Sequence, residues 1–444
     1  MNTPATSAAL PESVDLAVIG GGPSGSTMAM LVARAGYRVL VLEKDRHPRF
    51  HIGESLLPHN MPIFRRLGLL DRVKALGVAK PGVDFTPASE PELVSEIRFS
   101  QALEVPADCD QACQVLRSDF DALLFAAAGE AGAMLAAGCR VRSVEFDAAD
   151  TALLELDRAD GSHSLRARFV VDASGRDCFL GRRFDLQARN RQHGTAALYA
   201  HFSDVPRRPG DAAGNISIYW FDQGWIWMIP LPDGVMSVGA VCNPAYLRGR
   251  GRDVTRFFHA TLARNPFAAR RMADARLVSP VTATGNYAYC NRRLDGPRWL
   301  MIGDAGLFID PVFSSGVYFG MHGAEVGARV VLAELAGDAP AARRERRRYR
   351  ARVRRGVREL SWFIYRFPTP AMRKLLLSDQ QVLGLKQAVI SLLAGDLYDN
   401  PRVRWRLRLF RLVYWLTCLP ELAANLKVRR QGRRNASVVF DHGH

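Results

Sequence analysis

Residues 14–43 read VDLAVIGGGPSGSTMAMLVARAGYRVLVLE. The opening VDLAVIG, from Val14 to Gly20, is a short β-rich run of the kind that enters a buried parallel strand. Gly20-x-Gly22-x-x-Gly25 follows, then a helical stretch from Ser26 to Ala35 and a second strand from Tyr37 to Leu42 that delivers Glu43. Each part has a mechanical reason. Gly20 allows a tight turn, Gly22 admits a pyrophosphate against bare backbone, and Gly25 lets helix and strand pack closely. The start of the helix, with Ser24 in its turn, offers free amides and the positive end of a dipole. Glu43 stands where a carboxylate accepts hydrogen bonds from ribose hydroxyls. A lone glycine motif is weak, but strand, turn, helix, strand and acid in register predict a dinucleotide-binding Rossmann unit.

The 444 residues suffice for about two to three domain-sized units. The formal net charge is +16, and the excess is local. Ten arginines lie between Arg343 and Arg358, and more follow from Arg402 to Arg434. No nucleic-acid motif accompanies them, which argues against a DNA or RNA partner. The seven cysteines are scattered and lack zinc spacing, so no metal site is expected and a reduced, cytoplasmic compartment is the simplest reading. The segment MNTPATSAALPESVD has no basic start or apolar core of a secretory signal, and no apolar run reaches membrane-spanning length.

Three distant segments resemble the para-hydroxybenzoate hydroxylase-like FAD proteins. Arg117, in LRSDFDALL, is similar to the arginine that opens a flavin-facing helix in that superfamily. FVVDASGR, residues 169–176, resembles its second phosphate-side loop. WLMIGDAG, residues 299–306, resembles its distal FAD motif, in which Gly303 and Asp304 meet the cofactor. The resemblance implies FAD as the nucleotide.

Two further motifs resemble those of the flavin-dependent halogenases. Gly224 is followed by Trp225-Ile226-Trp227-Met228-Ile229-Pro230, and alternate tryptophans on a strand turn both indoles to one face. Residues 308–316, FIDPVFSSG, fit F-x-x-P-x-x-S-x-G, a turn opening a helix from Val317 to Glu334 whose amides form an anion site. A glycine turn of this sort also serves close flavin packing in hydroxylases. Lys80, in GVAKPGVDF after GESLLPHNMPIFRRLGLLDRV, matches the family's catalytic lysine by order along the chain. Its Pro81-Gly82 neighbours suggest a loop that projects into a pocket. Lys74 competes for that role but falls in a helix with a solvated charged face.

The resemblance implies a mechanism. Reduced FAD and dioxygen supply an oxidant, and chloride or bromide held at Ser315 and Gly316, with Val317 among the cofactor contacts, is turned into hypohalous acid. Trp225 and Trp227 shield the flavin from the organic substrate, and Lys80 takes the oxidant on to an aromatic carbon. A separate NAD(P)H-dependent reductase supplies the reduced flavin in this family. Tryptophan halogenases carry a glutamate where this chain has Ser314, a departure that points to an electron-rich phenol or pyrrole. Many such substrates are tethered to an acyl carrier protein, and the basic tail suits an acidic partner.

The fold expected is α/β: a Rossmann-type FAD-binding domain (residues 1–184 and 299–337), an inserted mainly antiparallel β-sheet substrate domain (185–298) and a basic helical C-terminal region (338–444). Within the insert, strands are expected over Asn215 to Phe221 and Val235 to Val241, and Asp160-Gly161 should turn a hairpin between Leu153–Asp157 and Ser164–Val171. Ala341 to Tyr365 reads as one long helix closed by Pro368 and Pro370, with further helices over Asp379 to Leu393 and Val403 to Lys427. Trp405, Leu409, Leu412 and Leu416 recur at helical spacing and are expected in core or lid rather than at a membrane surface, because the arginines do not segregate to one face. The competing functions are an FAD-dependent aromatic hydroxylase, a prenyl-lipid-type reductase and a binding protein without catalysis.

Overall fold

The strand Ser13–Ile19 lies between Gly161–Asp172 and Val39–Glu43 and pairs with both in parallel, so its Leu16, Ala17 and Val18 lose all contact with solvent. Burial on both faces explains the unbroken apolar run. The sheet continues to Met134–Ala137 on one side and Trp299–Met301 on the other, with an antiparallel edge at Asp295–Gly296. The helix Pro23–Ala33 follows the first strand and packs against Gly316–Leu335 and Arg117–Glu130. The computed structural model describes residues 10–87, 94–105, 109–146, 151–190, 194–285, 288–378 and 383–436.

The turn between strand and helix is set by excluded volume. Gly20 has φ +104°, and a Cβ there would lie 2.4 Å from the Ala173 carbonyl oxygen. A Cβ on Gly25 would lie 1.9 Å from the Gly20 oxygen, so only glycine permits this approach of helix to strand. Gly22 is different: among the described residues its Cβ would meet only Arg49 Nη2, at 3.6 Å.

The second sheet is mainly antiparallel, in the order Arg276–Leu277, Ala196–Ser203, Met236–Cys242, Gly224–Pro230, Ile216–Phe221, Gly82–Thr86 and Ser95–Arg98. Its last two strands come from the stretch assigned above to the first FAD-binding segment, and Ile216–Phe221 pairs with Gly82–Thr86 in parallel. The expected hairpin is present, with Ala152–Arg158 antiparallel to Gly161–Asp172.

The carboxy-terminal layer is helical: Ala339–Ile364, Pro370–Leu377, Leu385–Ala394, Pro401–Cys418 and Leu422–Ala436. Among the described residues no helix is long and apolar enough to cross a membrane. Asp379, the expected start of one helix, lies outside the described residues. The helix expected from Val403 to Lys427 is two helices, interrupted at Pro420, which cannot continue the hydrogen-bond ladder. Of the stripe expected in core or lid, Leu409 is half-buried against the core, and the other three positions are not part of the core. Trp405, Leu412 and Leu416 are exposed, and the buried face carries Val403, Leu407, Phe410, Tyr414 and Cys418. Both sets recur every three or four residues, so periodicity alone could not choose between them.

Candidate active site

One cavity of about 880 Å³ runs from the first sheet to the second. At one end Gly20, Gly22, Ser24 and Glu43 line it, with Arg117, Arg176 and Asp304 further along. Trp225 and Trp227 line its other end, together with Ser314, Ser315, Gly316 and Val317. Gly25 serves helix packing instead, and Gly303 stands behind the wall, where a Cβ would meet Ser24 Oγ at 2.5 Å.

The polar groups of the first end suit a phosphate. The helix Pro23–Ala33 has Gly22 at its N-cap and no side-chain cap, leaving its first amides for a ligand. Arg49, which sequence reasoning missed, places its guanidinium beside the Gly22 turn and within 3.4 Å of Asp121. Its only signal was a basic residue in the loop after Glu43. Glu43 accepts from the Gly21 amide at 2.7 Å and from the Asp45 amide at 2.9 Å, which fixes the carboxylate at the strand end.

Arg117 opens the helix Arg117–Glu130 and is buried with Asp121, to which it donates two bonds of 2.8 and 3.0 Å. Burial opposes both charges, but each stabilises the other: Arg117 stays charged and Asp121 is held below the usual carboxylate range. The same guanidinium pushes His51 down to about 3, so that imidazole is neutral. Asp304 moves the other way. Burial lifts it to about 6, against the pull of Arg117 and Arg176.

At the other end the strand Gly224–Pro230 turns both indoles into the cavity, with ring centroids 5.9 Å apart. Trp227 Nε1 donates to Ser237 Oγ at 3.3 Å, and Ser237 donates to Glu54 at 3.2 Å. Glu54 also meets His201 Nε2 at 2.6 Å. Neither His201 nor Ser237 stands near Glu54 in the sequence; distant strands bring them to it. Phe367, from the carboxy-terminal layer, packs on Trp225, Trp220, Phe85 and Phe313, on the same face of the sheet as the two indoles, while Ile226 and Met228 turn to the opposite face.

Ser315 is the N-cap of Gly316–Leu335, without a side-chain cap, and a Cβ on Gly316 would meet nothing within 4 Å. The preceding Ser314 adopts φ +55°, which bends the chain so that the helix start faces the cavity.

Lys80 is not on a loop, as its Pro-Gly neighbours suggested. It ends the strand Gly77–Lys80, which pairs with Ala112–Val115, and it is 2 % exposed. Nζ donates to the Leu56 carbonyl at 3.0 Å and lies 5.2 Å from the centre of the Phe99 ring. It stands behind the wall formed by Glu54 and Ser55 rather than in the lining of the cavity. Burial, with no carboxylate partner among the described residues, pushes it down to about 7. Lys74 is exposed, as expected.

Residues 13–358 match the FAD binding domain family. A flavin-dependent halogenase of Armillaria mellea is 32 % identical over 359 residues, spanning 74 % of this chain and 69 % of its own. The chain belongs to the flavin-dependent halogenases. The 1H-pyrrole-2-carbonyl-[peptidyl-carrier protein] chlorinase of Pseudomonas fluorescens is 27 % identical to this halogenase over 409 residues, covering 88 % of this chain and 90 % of the chlorinase. Among solved structures, a flavoprotein/dehydrogenase of Cytophaga hutchinsonii superposes with a TM-score of 0.84 at 28 % identity, covering 92 % of this chain and 100 % of that one. The myxobacterial chondrochloren halogenase does so with a TM-score of 0.75 at 28 % identity, over 97 % and 99 %. The halogenase uses FAD, with halide as co-substrate, and acts on aromatic compounds.

Proposed function

We propose that this halogenase modifies an electron-rich phenol or pyrrole, free or tethered to a carrier protein, with Lys80 delivering the oxidised halogen. The observation that carries this reading is the single cavity shared by the Gly20–Gly25 turn, the tryptophan pair and the Ser315–Gly316 helix start, with Lys80 buried behind its wall.

FAD, when bound and reduced, supplies the two electrons that let dioxygen oxidise halide. The chain does the rest. Gly22 leaves room for the pyrophosphate, and the amides beyond it, with Arg49, balance its charge. The amides at Ser315 and Gly316 hold the halide. Trp225 and Trp227 exclude water and keep the aromatic substrate from the flavin. Glu54, through Ser237, keeps the Trp227 indole in its rotamer. Lys80 has lost its hydration and makes one charge-assisted bond to a carbonyl, so an incoming oxidant finds an unsatisfied donor. Ser314 offers no carboxylate to the reacting ring, which favours rings already rich in electrons. The homologous chlorinase from P. fluorescens, whose name specifies a carrier-bound pyrrole, supports the tethered substrate. A separate reductase working in the cytoplasm would supply reduced FAD, since one nucleotide fingerprint is legible in the sequence.

The test is direct. Purified protein is given reduced FAD, oxygen, chloride or bromide, and a panel of free and carrier-bound phenols and pyrroles, and product masses are read. Halogenated product from a phenol or pyrrole is expected. Hydroxylated product alone, or substrate-stimulated NADPH oxidation by the isolated chain, would sink the reading.

A further inference from the structure

The helix Pro401–Cys418 has two apolar faces. Val403, Leu407, Phe410, Tyr414 and Cys418 are buried against the preceding helices. On the opposite side Trp405, Leu412, Trp415, Leu416 and Leu419 stand 41 to 63 % exposed, and Leu422 and Leu426 extend the ridge onto Leu422–Ala436. At about 100° per residue, Trp405, Leu409, Leu412, Leu416 and Leu419 fall within a stripe about 80° wide. Arg402, which pairs with Glu104, and Arg406, which donates to the Leu383 carbonyl, border that stripe on one side, and Arg404 and Arg408 border it on the other. Residues 401–436 hold ten basic residues and one acid, Glu421.

We propose that this ridge seats on an anionic phospholipid surface, the leucines and Trp405 entering at the boundary between headgroups and acyl chains. The arginines, seen on the bare sequence, did not segregate to one face. Around the exposed stripe they do something more informative and edge it on both sides. Their aliphatic stems can then lie along the ridge while the guanidiniums reach lipid phosphates. A second copy of the chain would set arginine against arginine. An acidic protein would satisfy the charges, but it would need a groove shaped to a convex ridge about 20 Å long. A lipid layer deforms to fit. The helix is too charged to span a membrane, which leaves it lying in the interface plane.

The experiment is sedimentation of the full-length protein with phosphatidylcholine vesicles, with and without phosphatidylglycerol. Binding to the anionic vesicles is expected, weakening as salt is raised. Leu412→Asp with Leu416→Asp should lower it about tenfold or more while the bound-FAD spectrum and the melting temperature are kept. Arg404→Gln with Arg408→Gln should remove the preference for anionic vesicles, and it reads the same surface should the aspartate pair unfold the protein. Failure of the wild type to sediment with anionic vesicles, or undiminished binding by both pairs, overturns the proposal. A wild-type dimer that the aspartate pair makes monomeric, without vesicle binding, reassigns the ridge to a second copy. Capture of an acidic carrier protein, lost in that pair and again without vesicle binding, reassigns it to a protein partner.

Discussion

The glycine turn between Ser13–Ile19 and Pro23–Ala33 and the helix Pro401–Cys418 both announce themselves by residue spacing, yet only the first could be read without ambiguity. At Gly20 and Gly25 the backbone approaches to 2.4 and 1.9 Å of where a side chain would begin, so one residue type fits and its spacing fixes the geometry. Along Pro401–Cys418 apolar residues recur on two opposite faces, and which face is buried depends on partners far away in sequence. Excluded volume writes itself into single positions, whereas the choice of face belongs to the tertiary structure.

The largest effects test the first half of that contrast. Gly25→Val should yield no folded flavoprotein, because the collision is with backbone that cannot move aside. Gly22→Val should fold, since the space beside it is open but for the end of Arg49, and should still lose FAD affinity by about a hundredfold or more through intrusion on the phosphate path. Circular dichroism separates folding from binding, and flavin fluorescence reads the latter. Wild-type FAD affinity in Gly22→Val would remove the phosphate from this turn.

Next in size is Lys80. If oxidant is made at the flavin and used behind the cavity wall, the two steps are separable. Lys80→Ala should lose product by about a hundredfold or more while flavin reoxidation by oxygen continues. Lys80→Met keeps much of the bulk but removes the donor and should fail equally. Lys74→Ala, at an exposed position, should match wild type. Product mass against flavin absorbance gives both readings. Normal halogenation by Lys80→Ala would end the relay role.

Lys80 also shows what the sequence conveyed and what it withheld. Order along the chain proposed it, as it proposed Arg117, Asp304 and the tryptophan pair, and the structure brings the last four residues to one cavity while burying Lys80 outside its lining. Its surroundings were hidden. The Pro81-Gly82 pair suggested a loop, but Ala112–Val115 captures the preceding residues as a strand and Leu56 supplies the carbonyl that buries the amine. His201 and Ser237 had no local signature, since Glu54 acquires them only once the second sheet is in place, and Arg49 had only that of a basic residue in the loop after Glu43.

That burial has a stability signature of a few kcal/mol at most. The folded value of Lys80, about 7, lies below the ordinary 10.5. Below about pH 7 folded and unfolded chains both hold the proton, and the cost of burying the charge is present in full. Between about 7 and 10.5 the unfolded chain binds more protons, so stability attributable to this residue rises with pH. Lys80→Met removes the dependence. Its advantage over wild type in urea midpoint should be greatest near pH 6 and shrink towards pH 9. A difference independent of pH would mean that the amine is solvated.

The smallest expected effect bears on the other half of the contrast. Leu407 and Leu412 occupy one helix, five residues apart, with Leu407 buried and Leu412 56 % exposed. Leu407→Ala leaves a cavity among neighbours that cannot close it and should cost about 2–5 kcal/mol. Leu412→Ala gives up mostly contact with water, and alanine is at least as good a helix former, so the change should stay within about 0.5 kcal/mol. Urea midpoints of the two variants, taken at several protein concentrations, make the comparison. A cost at Leu412 close to that at Leu407, growing with concentration, would show that the ridge is already covered by another copy. Its arginine borders would then need acidic partners in that copy, and among the described residues 401–436 offer only Glu421.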